Sequence, residues 1–277
     1  MAHALTPTEL PPPIDWQAPW FAPLRALGEG AAAAWAGGLP VHAALNSALS
    51  AAGDAAPNAA PADASLAPVR FVPQAALPDG VAYEAYLFAQ RQCPTRDNLH
   101  DFFNGLCWLA WPRTKRRINA LQAAQIARDG VRATRGPVRD ALTLLDENGA
   151  LLLAPAALWD ALRARDWQRL FVQQRSQWQD ARLLIIGHAL LEKLVRPRKD
   201  LTAHVWCATL RPGDAAWREA QLDAVLAESL TEPVLAAKPF VPLPVMGVPG
   251  WCADNAHAAY YSDVAVFRPA PAARPPE

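Results

Sequence analysis

The run from Cys93 to Lys115 (CPTRDNLHDFFNGLCWLAWPRTK) limits the possible folds more than any other stretch of the chain. Read as a helix over Asp97–Trp111, it places His100, Asn104, Cys107, Trp108 and Trp111 in one stripe and Leu99, Phe102, Phe103, Leu106 and Ala110 in another. A helix that is apolar on two sides is covered on two sides, so this one lies inside the molecule. Polar side chains in such a place need hydrogen-bond partners. His100 and Asn104, one turn apart, with Asp101 at the edge of the stripe, therefore belong either to a buried network that pins the helix or to a functional pocket.

The elements around it follow from spacing and punctuation. Helices are expected over Val41–Ala52, Val81–Gln90 and Pro112–Arg128, with Pro112 at the first position of the last, where its missing N–H costs nothing. Asp146-Glu147-Asn148-Gly149 lies between two apolar runs, so a β-hairpin is expected over 141–154. A helical region from Pro155 to Asp180, strands over 181–187 and 201–210, and helices over 188–195 and 217–230 complete the main body. Prolines at 239, 242, 244 and 249, set among aromatic residues, predict an extended C-terminal wrap, because proline serves neither a helix interior nor a central strand. The expected architecture is α+β: a helix-rich single domain with a small sheet. The expected segments are an N-terminal arm with an Ala/Pro-rich loop (1–68), the globular body (69–268) and a disordered tail (269–277).

Charge and cysteine usage narrow the function classes. Lys+Arg and Asp+Glu both number 26, so the chain lacks the global basic field of a general nucleic-acid binder. Cys93, Cys107, Cys207 and Cys252 form no C-x-x-C pair, which argues for free thiols in a reducing compartment. The N-terminal residues do not read as a secretory signal, no apolar run reaches membrane length, and a soluble, cytoplasmic protein is expected. G-x-G-x-x-G after a strand, the P-loop and G-x-S-x-G are all absent.

Three further features carry candidate chemistry. His188 follows an apolar strand, and Glu192 lies one helical turn on; a His and a carboxylate at i, i+4 serve as a ligand pair or a general-base pair. His204, on the next strand, would complete a three-histidine divalent-metal set with His100 and His188. Arg113, Lys115, Arg116 and Arg117 crowd the first turns of a helix, where cations oppose the macrodipole. An anion held by Arg113 and Lys115, an ion pair with Asp101 or Asp140, or a solvated basic face would each account for them.

Several blocks resemble the proteobacterial domain-of-unknown-function family 3025. They are Pro94–Asn104, Pro112–Lys115, Asn119–Gln122, Arg139–Leu144 with Asp146–Gly149, Gly187–Leu194, Thr202–His204 and Pro244–Trp251. The resemblance spans about Asp15 to Arg268. It implies a single-domain bacterial protein and supplies no reaction. Two functions stay open. One is a metal-dependent hydrolase of an anionic substrate, with His100, Asp101, Asn104, His188 and Glu192 as catalytic residues and Arg113 and Lys115 binding substrate. The other is a non-catalytic binding protein whose buried polar groups are structural.

Overall fold

The computed structural model describes residues 12–55, 69–130, 136–206 and 219–270. Its centre is a four-stranded sheet in the order β4-β3-β5-β6, where β3 is Gly149–Leu153, β4 Arg182–Ile185, β5 Thr202–Trp206 and β6 Phe240–Pro244. β3 pairs antiparallel with β4 and parallel with β5, and β5 pairs antiparallel with β6. β1 (Arg70–Pro73) and β2 (Gln92–Thr95) form a separate parallel pair.

The sequence of β3, GALLL, explains why the sheet lies in the middle. All five residues are buried, without the alternation of a half-exposed strand, so both faces are covered. Ala150 and Leu152 point into one core, Leu151 and Leu153 into the other. The first core holds α4 (Leu99–Ala110), α7 (Ala156–Arg163) and the N-terminal segment with α1 (Arg25–Ala36) and α2 (Val41–Ala55). Phe21 stacks on Phe103 at 5.5 Å, and Trp35 meets Phe102 at 5.1 Å. The second core holds α5 (Pro112–Asp129), α6 (Pro137–Asn148), α9 (Glu219–Ser229) and α10 (Glu232–Ala236). The result is a helix-rich α+β domain with a small sheet between two helical layers.

The hairpin expected over 141–154 is replaced by a helix running into a strand. Val138, Ala141, Leu142 and Leu145 keep helical spacing through the segment and are buried on one face of α6. Gly149 takes φ −74°, not the positive φ that a two-residue hairpin turn demands. β6 carries Pro242 and Pro244 and lies at the sheet edge, where a missing N–H is tolerated. Beyond it the C-terminal wrap is built of short 3-10 turns at Val245–Gly247, Ala253–Ala256 and Ala258–Ser262 rather than extended chain. The loop expected over 53–67 begins inside α2 and otherwise lies outside the described residues, as do the strand residues expected at 207–210 and the tail from 271.

α4 and α5 owe their positions to capping. Asn98 caps α4 by accepting from the Asp101 N–H at 2.8 Å, and Asp101 returns the favour by accepting from the Arg96 N–H at 2.7 Å, a variant of the capping box. α5 starts at Pro112, and its first free N–H groups, of Arg113 and Thr114, both donate to the carboxylate of Asp223 on α9 at 2.8 Å. Among the described residues, no helix is long and apolar enough to cross a membrane.

Candidate metal centre

α4, α6 and α8 (His188–Lys193) meet beyond the end of β4, and their polar side chains converge there. Two glycines permit the approach. A Cβ on Gly187 would lie 2.5 Å from the backbone nitrogens of Asn148 and Gly149, and one on Gly149 would lie 2.3 Å from the Leu145 carbonyl oxygen. The start of α8 is thereby pressed against the last turn of α6, which carries Asp146 and Glu147.

His188, 4% exposed, points Nε2 at Nε2 of His100 across 3.1 Å. Nδ1 of His100 lies 2.9 Å from Glu192 Oε2. A carboxylate only accepts, so a neutral His100 ring carries its proton on Nδ1 and presents a lone pair at Nε2. Nδ1 of His188 faces Asp146, with the Oδ2 oxygen 3.6 Å away and a backbone carbonyl that also favours a proton there, yet no partner lies within hydrogen-bond geometry. A His188 proton placed on Nδ1 leaves two imidazole lone pairs facing each other. An ion between them would relieve that repulsion, as would a proton on either Nε2 donated to the other.

A third candidate ligand lies in reach of both rings. Glu147 Oε1 is 3.8 Å from His188 Nε2, and His100, Glu147 and His188 each bring one ligand atom within 4.8 Å of the other two. Two nitrogens on a tetrahedral zinc ion stand about 3.3 Å apart, close to the gap observed here. Each histidine also turns its second nitrogen toward a carboxylate, Glu192 for His100 and Asp146 for His188, as metal-binding histidines commonly do. Burial pushes the His188 pKa down to about 4, outweighing the opposing pull of Asp146, so the ring is a free base at neutral pH. Burial also raises the Glu147 pKa, and the neighbouring Asp146 charge adds to the rise.

Asp146 links this centre to Lys115, which is 3% exposed on α5. Burial alone would raise the Asp146 pKa, but Lys115 and then His188 hold it below the ordinary value. Lys115 Nζ also donates to Asn104 Oδ1 at 2.8 Å, and Asn104 Nδ2 donates to the Tyr83 hydroxyl at 3.2 Å. Asn104, Lys115, Asp146, Glu147 and Tyr83 line a cavity of about 90 Å³, room for a few waters or one small group beside the histidines.

His100, Asn104, His188 and Glu192 thus come together, joined by Lys115. Asp101 stands apart: Arg96 occupies both of its oxygens through Nε at 3.1 Å, Nη2 at 2.9 Å and the backbone N–H. His204 is not part of the group that could hold an ion. Its ring meets Phe240 edge-on at 6.4 Å, and Glu147 instead brings the third candidate ligand atom near His100 and His188. Arg113 is parted from Lys115. It lines an outer groove while Lys115 lines the inner cavity, because neighbours two residues apart on a helix face different directions. Glu147 and Asp146 were missed in the sequence because they were read as turn residues. Two acids in the last turn of a helix oppose the macrodipole, and that misplacement was the available signal.

The model of a family described as "Protein of unknown function (DUF3025)" matches residues 69–271. The chain belongs to that DUF3025 family. The match takes in every residue of the candidate metal-holding group and of the cavity. Neither the curated proteins nor the solved structures contain a match to the chain.

Proposed function

We propose that this DUF3025 member is a metal-dependent hydrolase in which His100, His188 and Glu147 hold one divalent ion. The observation that carries the reading is the facing pair of Nε2 atoms, 3.1 Å apart, each ring backed by a carboxylate on its other side. Three protein ligands leave a coordination position for water, whose pKa a bound ion lowers toward neutrality. Glu192 and Asp146 orient the two rings. Lys115 and Asn104, on the cavity wall, face the place where negative charge would develop on an attacked carbonyl or phosphoryl group. Asp101 and His204 have no part in this scheme. Free, buried thiols at Cys93 and Cys107 fit a reducing, cytoplasmic setting.

A structural polar network is the competing reading, and the His100–Glu192 bond favours it. Elemental analysis separates the two. Wild-type protein, stripped with chelator and reloaded, should hold about one zinc, manganese or iron ion per chain, and His188→Ala and Glu147→Gln should each lose it. The loaded wild type should then hydrolyse a p-nitrophenyl ester of phosphate or acetate, with activity vanishing in the stripped form. A wild type that takes up no ion under any loading condition sinks the proposal.

A further inference from the structure

A second concavity, of about 670 Å³, opens between α3 (Tyr83–Gln90), α5 and α9. Arg91, Arg113, Arg116 and Arg117 line it, against one acidic residue, Glu228, among the described residues. The volume is that of a small-molecule site. In a chain of zero net charge, the hollow gathers four guanidinium groups, two of which, Arg113 and Arg117, bear on what it could bind.

Helix stability does not account for them. Arg113, Arg116 and Arg117 occupy the first turns of α5, where the macrodipole disfavours cations. Asp223, beneath Arg113, has both oxygens engaged by backbone N–H groups. Arg117 donates Nε to the Leu230 carbonyl at 3.0 Å, and among the described residues neither Arg113 nor Arg117 is paired with a carboxylate through its side chain. Arg91 ends α3 at φ +54°, in the left-handed region where glycine or asparagine is the usual choice.

Phe88, 55% exposed, lies on the same wall and offers an apolar face. Leu87 and Asn119 are common to this groove and to the inner cavity. Asn119 is tied by its Nδ2 to the Glu84 carbonyl at 2.8 Å. The two hollows are thus neighbours across one thin wall.

We infer that the arginine groove binds the phosphate-bearing arm of a small phosphorylated molecule, with Arg113 and Arg117 gripping the phosphate oxygens and Phe88 against the organic part. Guanidinium forks match phosphate geometry and bind it in pairs of hydrogen bonds, which a lysine does not reproduce. The inference deepens the hydrolase reading by naming a substrate class, and rests on it only in placing the reacting bond at the inner cavity.

The test uses chelator-stripped full-length protein, so that its failure and that of the metal centre are distinguishable. Inorganic tripolyphosphate is titrated by calorimetry into wild type, Arg113→Gln, Arg113→Gln/Arg117→Gln and the matching lysine double variant. Arg128→Gln, at the far end of α5, serves as control. Saturable one-to-one binding is expected, weakened about tenfold in Arg113→Gln at unchanged melting temperature, and more in the double variant. The lysine variant should recover only part of the loss, and Arg128→Gln should match wild type. Absence of saturable binding, binding indifferent to the glutamine variants, full rescue by lysine, or tighter binding of a single-stranded oligonucleotide than of tripolyphosphate would each overturn the inference.

Discussion

Asp223 and Asp146 both flank α5, and they serve it in opposite ways. Asp223, 2% exposed, spends its two oxygens on the N–H groups of Arg113 and Thr114 at the helix start. Asp101 does much the same for the chain entering α4. Both are carboxylates at helix N-termini, where orphan donors and the dipole welcome negative charge. Asp146 and Glu147 lie in the last turn of α6, where the dipole repels them and no backbone donor waits. They persist there beside Lys115, His100 and His188. Carboxylates whose lone pairs are filled by backbone build the fold. Carboxylates held at the unfavourable end beside a buried lysine and imidazoles are the ones the proposed metal site uses.

The sharpest way to probe that difference is to remove the cation. Lys115→Met should destabilise the protein by about 3–5 kcal/mol, because it leaves Asp146 without its buried counter-charge. Adding Asp146→Leu should recover more than half of that loss in urea unfolding. Equal instability of the single and double variants would mean that the pair does not act as a unit, and the contrast with Asp223 would fail.

Acid gives the next largest effect. His188 has a folded pKa of about 4 against the ordinary 6.5, so the unfolded chain binds more protons between those values. Its contribution is complete above pH 6.5 and is lost as pH falls to about 4, roughly 3 kcal/mol at most by linkage. Unfolding midpoints of metal-free protein at pH 7.5, 6 and 5 should fall steadily, and His188→Gln should flatten the slope. An equal slope in the variant would relocate the acid sensitivity to other groups.

Asp223→Ala should cost about 2 kcal/mol by exposing two unpaired N–H groups, while metal content stays at the wild-type level. Glu147→Gln should do the reverse, changing stability by under about 1 kcal/mol and abolishing metal uptake. If both variants lost metal and stability together, the division between fold-building and site carboxylates would not hold.

Much of the candidate site was legible because local spacing carries it. His100 and Asn104 share a stripe within one helix, and His188 and Glu192 lie one turn apart at a strand-to-helix junction. Glu147 was hidden by Asn148-Gly149, a pair that reads equally as a hairpin turn and as the end of a helix. The choice between them depended on Leu145 packing into a core that only the fold reveals. The Asp223 cap was invisible for a simpler reason, since 109 residues separate it from Thr114. β1 and β2 were missed because each is four residues long and carries a proline. β3 and β4 ran the other way: their apolar runs announced buried segments, but the partner and the parallel or antiparallel sense came from elements far along the chain.

The smallest expected effect tests Asp101, the residue most tempting to misassign. It is buried, adjacent in sequence to His100 and chemically fit for acid–base work. Its oxygens are nevertheless taken by Arg96, whose side chain is 59% exposed, so the ion pair itself is largely screened. What Asp101→Ala removes is chiefly the bond to the Arg96 N–H, and about 1 kcal/mol of stability should go with it. Metal content should not change, nor should hydrolysis by the loaded protein. A variant that keeps its melting temperature but loses the metal would place Asp101 among the working carboxylates, and position at a helix N-terminus would then no longer identify a carboxylate that only builds the fold.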